Sequence, residues 1–189
     1  MAAAARDGSR TELAQRLREG DRAAMQAAYA EHGPAVARTV RGLSCGAVGS
    51  EDLVQEVFVV AFTRIARFRD DANFGAWLRG IAVNVVRDHR RKESRRRGLT
   101  RRFALPAADV PDTPEDAVAT RRLADRFWDA VDALPRRQRE AFVLRVVEQH
   151  SLIECAAALG TSPKGVSRRA LAAERRVRAA LGDPSEGGA

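Results

Sequence analysis

The stretch SLIECAAALGTSPKGVSRRALAAERRVRAAL, residues 151–181, constrains the fold more than any other part of the chain. Ser151 and Glu154 stand at capping-box spacing, where a hydroxyl and a carboxylate each satisfy a free backbone N–H at a helix start. Gly160 falls where that helix must stop, because glycine enters positive φ at little cost. Ser162 is placed to cap a second helix and Pro163 to fill its first position, where a missing N–H costs nothing. Within that helix Val166, Ala170, Ala173, Val177 and Leu181 step by three or four and predict a buried seam. Lys164, Arg168 and Arg175 point away from the seam, and Ser167 and Arg169 flank it. A short helix, a tight turn and a second helix with a basic outer face predict a helix-turn-helix. Its cations suit phosphates, and those near the helix start can reach base edges in a major groove. A solvated basic face on an ordinary helical hairpin is the plainer alternative.

The remainder is also helical in its periodicity. Aromatics make up 5% of the 189 residues, so an Ala-rich helical architecture is favoured over a sheet, with room for one ordinary domain or two small ones. Leu13 and Leu17, then Met25, Ala28 and Tyr29, then Val36, Val40 and Leu43 predict three short helices, broken at Gly20–Asp21 and at His32–Pro34. Ser50 can cap a fourth, with Leu53, Val54, Val57, Phe58, Ala61, Ile65 and Phe68 buried. Asn73 can cap a fifth, with Phe74, Trp77, Leu78, Ile81, Ala82 and Val85 inside. Residues 93–115 carry three prolines and a switch from basic to acidic, which predicts a flexible linker able to let two domains sit on separate sites. Beyond it Val118, Leu123, Phe127, Val131 and Leu134 form one stripe. Pro135 suits the first turn of the next helix, whose inner residues are Ala141, Phe142, Leu144, Val146 and Val147. The expected fold is all-α: two small helical domains joined by a flexible linker, the second containing the helix-turn-helix.

A net charge of +8 makes nucleic acid the leading partner and an anionic membrane surface the weaker one. No apolar run reaches the roughly 20 residues that cross a bilayer, so no membrane insertion is expected, and the N-terminal MAAAARDGSR lacks a signal-peptide core. A cytoplasmic location follows as the expectation. Cys45, Cys155, His32, His89 and His150 are scattered, so neither a zinc site nor a disulfide framework is expected. Without a phosphate-cradling glycine loop or a nucleophile beside a base, neither a cofactor nor an enzymatic activity is expected.

Residues 73–92, NFGAWLRGIAVNVVRDHRRK, form the second candidate surface. Asn84, Arg87 and Arg91 fall on one face at spacings of three and four, with Arg90 beside them, and this face is read as opposite Trp77 and Ile81. Arginine contacts phosphate and asparagine can read a base, while aromatics such as Phe74 and Trp77 serve either as core or as platforms for unstacked bases. Against this basic background Glu51, Asp52 and Glu56 make an acidic helix start. A solvated acidic face is the ordinary reading of such residues.

Taken together, DLVQE (52–56), the pattern FxxWLxxIAxNxxxDHxR (74–91) and LPxRQREAFxLRxxE (134–148) before a helix-turn-helix resemble an extracytoplasmic function sigma factor of bacterial RNA polymerase, over roughly residues 10–182. The resemblance implies sigma region 2 at 10–92, a linker at 93–115 and sigma region 4 at 116–182. It implies that Asp52, Gln55 and Glu56 face core RNA polymerase, so that the acids serve a protein interface. It further implies that Phe74, Trp77, Asn84, Arg87, Arg90 and Arg91, with the loop 68–73, take the minus-10 promoter element as single strand and capture a flipped base. Lys164, Ser167, Arg168, Arg169 and Arg175 then read the minus-35 element as duplex DNA. An anti-sigma factor is the further partner the family implies. Gly165, Glu174 and Cys155 depart from the family pattern, which commonly has threonine, a basic residue and an aliphatic there. A stand-alone helix-turn-helix regulator shares the C-terminal argument but leaves DLVQE and the Trp77 helix unexplained.

Overall fold

The computed structural model describes residues 12–45, 50–69, 73–100 and 115–182, with side chains through 96 and again from 122. Every regular element among them is helical. Helix α1 (12–18) ends in a turn at Gly20, whose φ of 77° is the left-handed value glycine accepts. Asp21 then caps α2 (Arg22–Leu43), its carboxylate accepting from the N–H groups of Ala23 at 2.8 Å and Ala24 at 3.3 Å.

The predicted break at His32–Pro34 does not occur, because α2 runs straight through Pro34. A proline inside a helix costs about 3 kcal/mol through its missing N–H and its ring clash. Beyond it, however, Val36, Val40 and Leu43 are all buried in the core. At about 1.5–3 kcal/mol for each such side chain, that burial outweighs the defect. The N-terminal unit therefore has four helices among the described residues rather than the five expected.

Helix α3 (Ser50–Thr63) buries Leu53, Val54, Val57, Phe58 and Ala61 as its periodicity requires, and Ile65 and Phe68 follow them into the core. Ser50 is itself the first helical residue, and 46–49 lie outside the described residues. Asn73 caps α4 (Phe74–Thr100) as expected, its Oδ1 accepting from the N–H of Ala76 at 3.1 Å. This helix continues past Glu93, where the linker was expected to begin. The rest of that linker, 101–114, lies outside the described residues, as does the N-terminal MAAAARDGSR.

In the C-terminal half, α5 (Glu115–Asp132) presents Phe127 and Val131 inward, while Leu123, expected in the same stripe, is exposed. Val118 lies outside the residues whose side chains are described. Pro135 precedes α6 (Arg136–Phe142) by one position instead of opening it. A single π-helical turn (Val143–Val147) follows, with the N–H of Glu148 donating to the carbonyl of Val143 at 2.9 Å. The wider turn shifts the register, so Val143 and Leu144 are buried while Val146 and Val147, expected inside, stand partly exposed.

The helix-turn-helix forms as its caps dictate. Ser151 and Glu154 complete a capping box at the start of α7 (Leu152–Leu159), and Gly160 ends it with φ 60° and ψ 47°. Ser162 caps α8 (Pro163–Leu181) through the N–H of Gly165 at 3.1 Å, and Val166, Ala170, Ala173 and Val177 make the buried seam.

The hydrogen bonds from Ser151 hold the Glu154 carboxyl below its ordinary value of 4.5. A carboxylate so depressed contributes stability above that ordinary value and loses it as pH falls through the depressed one. Ser151→Ala is expected to cost about 1 kcal/mol at neutral pH. Urea midpoints followed from pH 7 to pH 3 should show the gap between S151A and the parent chain narrowing below the ordinary glutamate range to the part carried by the Glu154 N–H bond to Ser151 Oγ, which does not titrate; a gap constant with pH would contradict this origin.

The two halves abut. Helix α7 lies across α4, and the turn after α6 meets α2. Both approaches run over glycines. A Cβ on Gly80 would stand 3.6 Å from the Ala158 carbonyl oxygen, and one on Gly42 only 2.7 Å from a methyl of the fully buried Val143. The tethered halves are thus in contact.

Candidate nucleic-acid and protein interfaces

The outer face of α8 carries Lys164, Arg168 and Arg175, all exposed, with Ser167 half-buried beside them. Arg169 lies back along the turn, its Nη1 donating to the Thr161 hydroxyl at 3.3 Å. The exposed apolar Leu171 sits between Arg168 and Arg175 on the same row, at the spacing of three and four that identifies the face. Two departures from the family pattern have local reasons. A Cβ at Gly165 would come within 3.0 Å of Thr161 Oγ1 and 3.2 Å of Ser162 Oγ, crowding the hydroxyl that caps the helix. Glu174 is matched by Arg178 one turn on, at 3.0 Å.

On α4 the aromatic residues divide by depth. Phe74 is buried, its ring centroid 5.2 Å from Phe68, 5.2 Å from His32 and 5.7 Å from Trp77. Trp77 is partly exposed above this cluster. The reading that Asn84 and Arg87 oppose Trp77 and Ile81 is corrected. Trp77, Ile81, Asn84 and Arg87 line one cavity of about 740 Å³. Seven residues advance a helix by nearly two full turns, so positions 77 and 84 share a side. Arg64 and Arg67, at the end of α3 and in the 3₁₀ turn after it (Ile65–Arg67), line the same cavity, and Ile153, Glu154 and Ala157 of α7 close it from across. Sequence periodicity missed these two arginines because they lie at a helix end.

The arginines of α4 are engaged. Arg87 donates through Nε to Glu140 Oε1 at 2.6 Å and through Nη2 to Oε2 at 2.7 Å, while its Nη1 reaches Asn84 Oδ1 at 3.0 Å. The paired Glu140 carboxylate raises the pKa of Arg87 beyond its usual range. Arg79, 9% exposed, donates to Glu154 at 2.9 Å. Arg90 bonds the Leu43 carbonyl at 3.2 Å and pairs with Asp132, which also takes Arg139 at 2.7 Å. Burial works against ionisation of Asp132, but the bond and charge of Arg90, with the charge of Arg139, hold its carboxyl below the usual range. Arg91 is exposed, 3.3 Å from Asp88 on its own helix. Further along the seam the Thr39 hydroxyl donates to Glu148 Oε2 at 2.7 Å, and burial pushes the Glu148 carboxyl up.

On α3, Asp52, Gln55 and Glu56 are all exposed on one face. Val59, 64% exposed, continues that face by one turn and was not among the residues read as functional. Its signal was an apolar residue lying outside the buried stripe. The two thiols lie elsewhere: Cys155 is buried on the inner side of α7 and Cys45 is half-buried beside Arg90, and burial pushes each up to about 11.

Residues 28–96 match the family Sigma-70 region 2, and residues 124–177 match Sigma-70, region 4. Among curated relatives, the RNA polymerase sigma factor NccH of Alcaligenes xylosoxydans xylosoxydans is 30% identical over 177 residues, covering 89% of this chain and 92% of that one. The RNA polymerase sigma factor CnrH of Cupriavidus metallidurans is 32% identical over 186 residues, covering 92% and 95%. The solved structure of CnrH in complex with the cytosolic domain of CnrY is similar with a TM-score of 0.66 and 29% identity, over 90% of this chain and 96% of that one. The sigma factor RpoE, solved with the anti-sigma factor NepR from Bartonella quintana, shares the fold at 23% identity and a TM-score of 0.64, over 82% and 95%. With region 2 on α2–α4 and region 4 on α5–α8, the chain belongs to the extracytoplasmic function group of sigma-70 factors.

Proposed function

We propose that this chain binds core RNA polymerase and directs initiation at promoters through minus-10 and minus-35 elements, contributing no catalytic group of its own. The observation that carries the reading is the presence, in one chain, of three surfaces unlike in chemistry. The α3 face of Asp52, Gln55, Glu56 and Val59 takes the polymerase, as an acidic rim around an apolar contact suits a basic protein surface. The α4 row of Trp77, Asn84 and Arg87, with Arg90 and Arg91, takes the melted minus-10 strand: the indole stacks an unpaired base and the cations track its backbone. Phe74 acts in this from beneath, by supporting Trp77. The loop that would receive a flipped base, 68–73, includes 70–72, which lie outside the described residues. The α8 row of Lys164, Ser167, Arg168, Arg169 and Arg175 enters the major groove at minus-35.

The relatives solved with CnrY and NepR make an anti-sigma protein the further proposed partner, and the cytoplasm the proposed location. Among the described residues no helix is long and apolar enough to cross a membrane. The test is run-off transcription: the purified chain with core polymerase should start RNA at specific genomic fragments, and failure on all of them ends this reading. Arg168→Ala should cost about 1–3 kcal/mol of discrimination at one minus-35 position if that arginine pairs with a guanine. It should leave capture of a premelted minus-10 strand unchanged; equal loss at both elements would contradict the division between α4 and α8.

A further inference from the structure

We infer that the cavity bounded by the end of α3, α4 and α7 is a binding site for a small molecule, a planar apolar body with one anionic group, its charge held by Arg64 and Arg67 and its body against Trp77. At about 740 Å³ the space is of the size that small ligands fill, and such sites are typically apolar with a few convergent polar groups. Here Trp77 and Ile81 of α4 supply one apolar wall, and Ile153 and Ala157 of α7 supply another. Ile153 is 74% exposed, so an apolar occupant gains by covering it.

The cations of the cavity are not equivalent. Arg87 is committed through all three of its side-chain nitrogens, to Glu140 and to Asn84. Arg64 and Arg67 are exposed, and their guanidinium groups make no hydrogen bond or ion pair with another described residue. The local fold sets these two side by side. The N–H of Arg67 donates to the carbonyl of Arg64 at 2.9 Å in a 3₁₀ turn, where residues three apart eclipse, and the buried Ile65 and Phe68 anchor that turn to the core. Like charges at this spacing repel each other, and an anion between them replaces the repulsion with charge-assisted hydrogen bonds. The carboxylate of the lining, Glu154, does not fill that role, because Arg79 and Ser151 already hold it. A bound molecule covers the indole, so it excludes a strand stacking there; this consequence rests on the minus-10 assignment of Trp77, while the binding itself does not.

The test is calorimetric titration of the full chain with 2-naphthoate, a planar body with one carboxylate. It should bind saturably, at least ~10-fold more tightly than 2-naphthalenemethanol, which has the same body and no charge. R64Q/R67Q changes only exposed side chains and should abolish that preference. Ile153→Ser takes away apolar wall and should weaken 2-naphthoate at least ~5-fold. Absence of saturable binding, equal affinity for acid and alcohol, or unchanged binding by either variant would overturn the site. Oligothymidylate should displace the bound acid. If the acid binds as stated and the oligonucleotide fails to displace it, the site stands and the minus-10 assignment of Trp77 falls.

Discussion

A D52K/E56K chain is expected to lose core polymerase by at least ~100-fold in affinity, because like charges set against each other across an interface cost several kcal/mol. Asp52 and Glu56 are exposed and make no hydrogen bond or ion pair with another described residue, so their reversal breaks nothing inside the chain. The internal cost is confined to the loss of a carboxylate from the first turn of α3, about 0.3–1 kcal/mol from the helix dipole. Circular dichroism and thermal unfolding should therefore remain near those of the parent while polymerase capture collapses. Val59→Ala, which trims only the apolar continuation of the face, should weaken capture by much less. Retention of parental affinity by the doubly reversed chain would move the docking surface elsewhere.

The second large effect is expected from salt. If the polymerase-bound chain sets about six cations against phosphates, promoter affinity should fall by ~10³-fold between 50 and 200 mM monovalent salt through counterion release. Core polymerase brings contacts of its own, so the slope must be partitioned by substitution. Lys164→Ala and Arg175→Ala lie on the exposed face of α8 and should each flatten the slope by about one unit if each meets a phosphate. Slopes identical to that of the parent would remove α8 from the duplex.

What could be read from the residues alone was local. The capping box at Ser151, the left-handed Gly160, the Ser162 cap and the seam from Val166 to Val177 all appear as the spacing requires, because each is decided within a turn or two of chain. Pro34 misled because its cost is local while the burial that offsets it comes from other helices. Trp77 and Asn84 were set on opposite sides, though seven residues return a helix almost to its starting side. The π-helical turn has no sequence signature, and across it Val143 is buried while Val147 is not. The seam between the halves was illegible for a different reason. Glu140 reads as an ordinary surface acid and Glu154 as a capping residue, yet each also meets an arginine more than fifty positions away.

The thiols carry a consequence for how the protein can be informed of stress. With Cys45 and Cys155 both at about 11, fewer than ~0.1% of either would be ionised near neutral pH, and thiolate is the species that peroxides attack. Both thiols are therefore slow targets for peroxide, and a redox response, if the chain takes part in one, does not start at either of them.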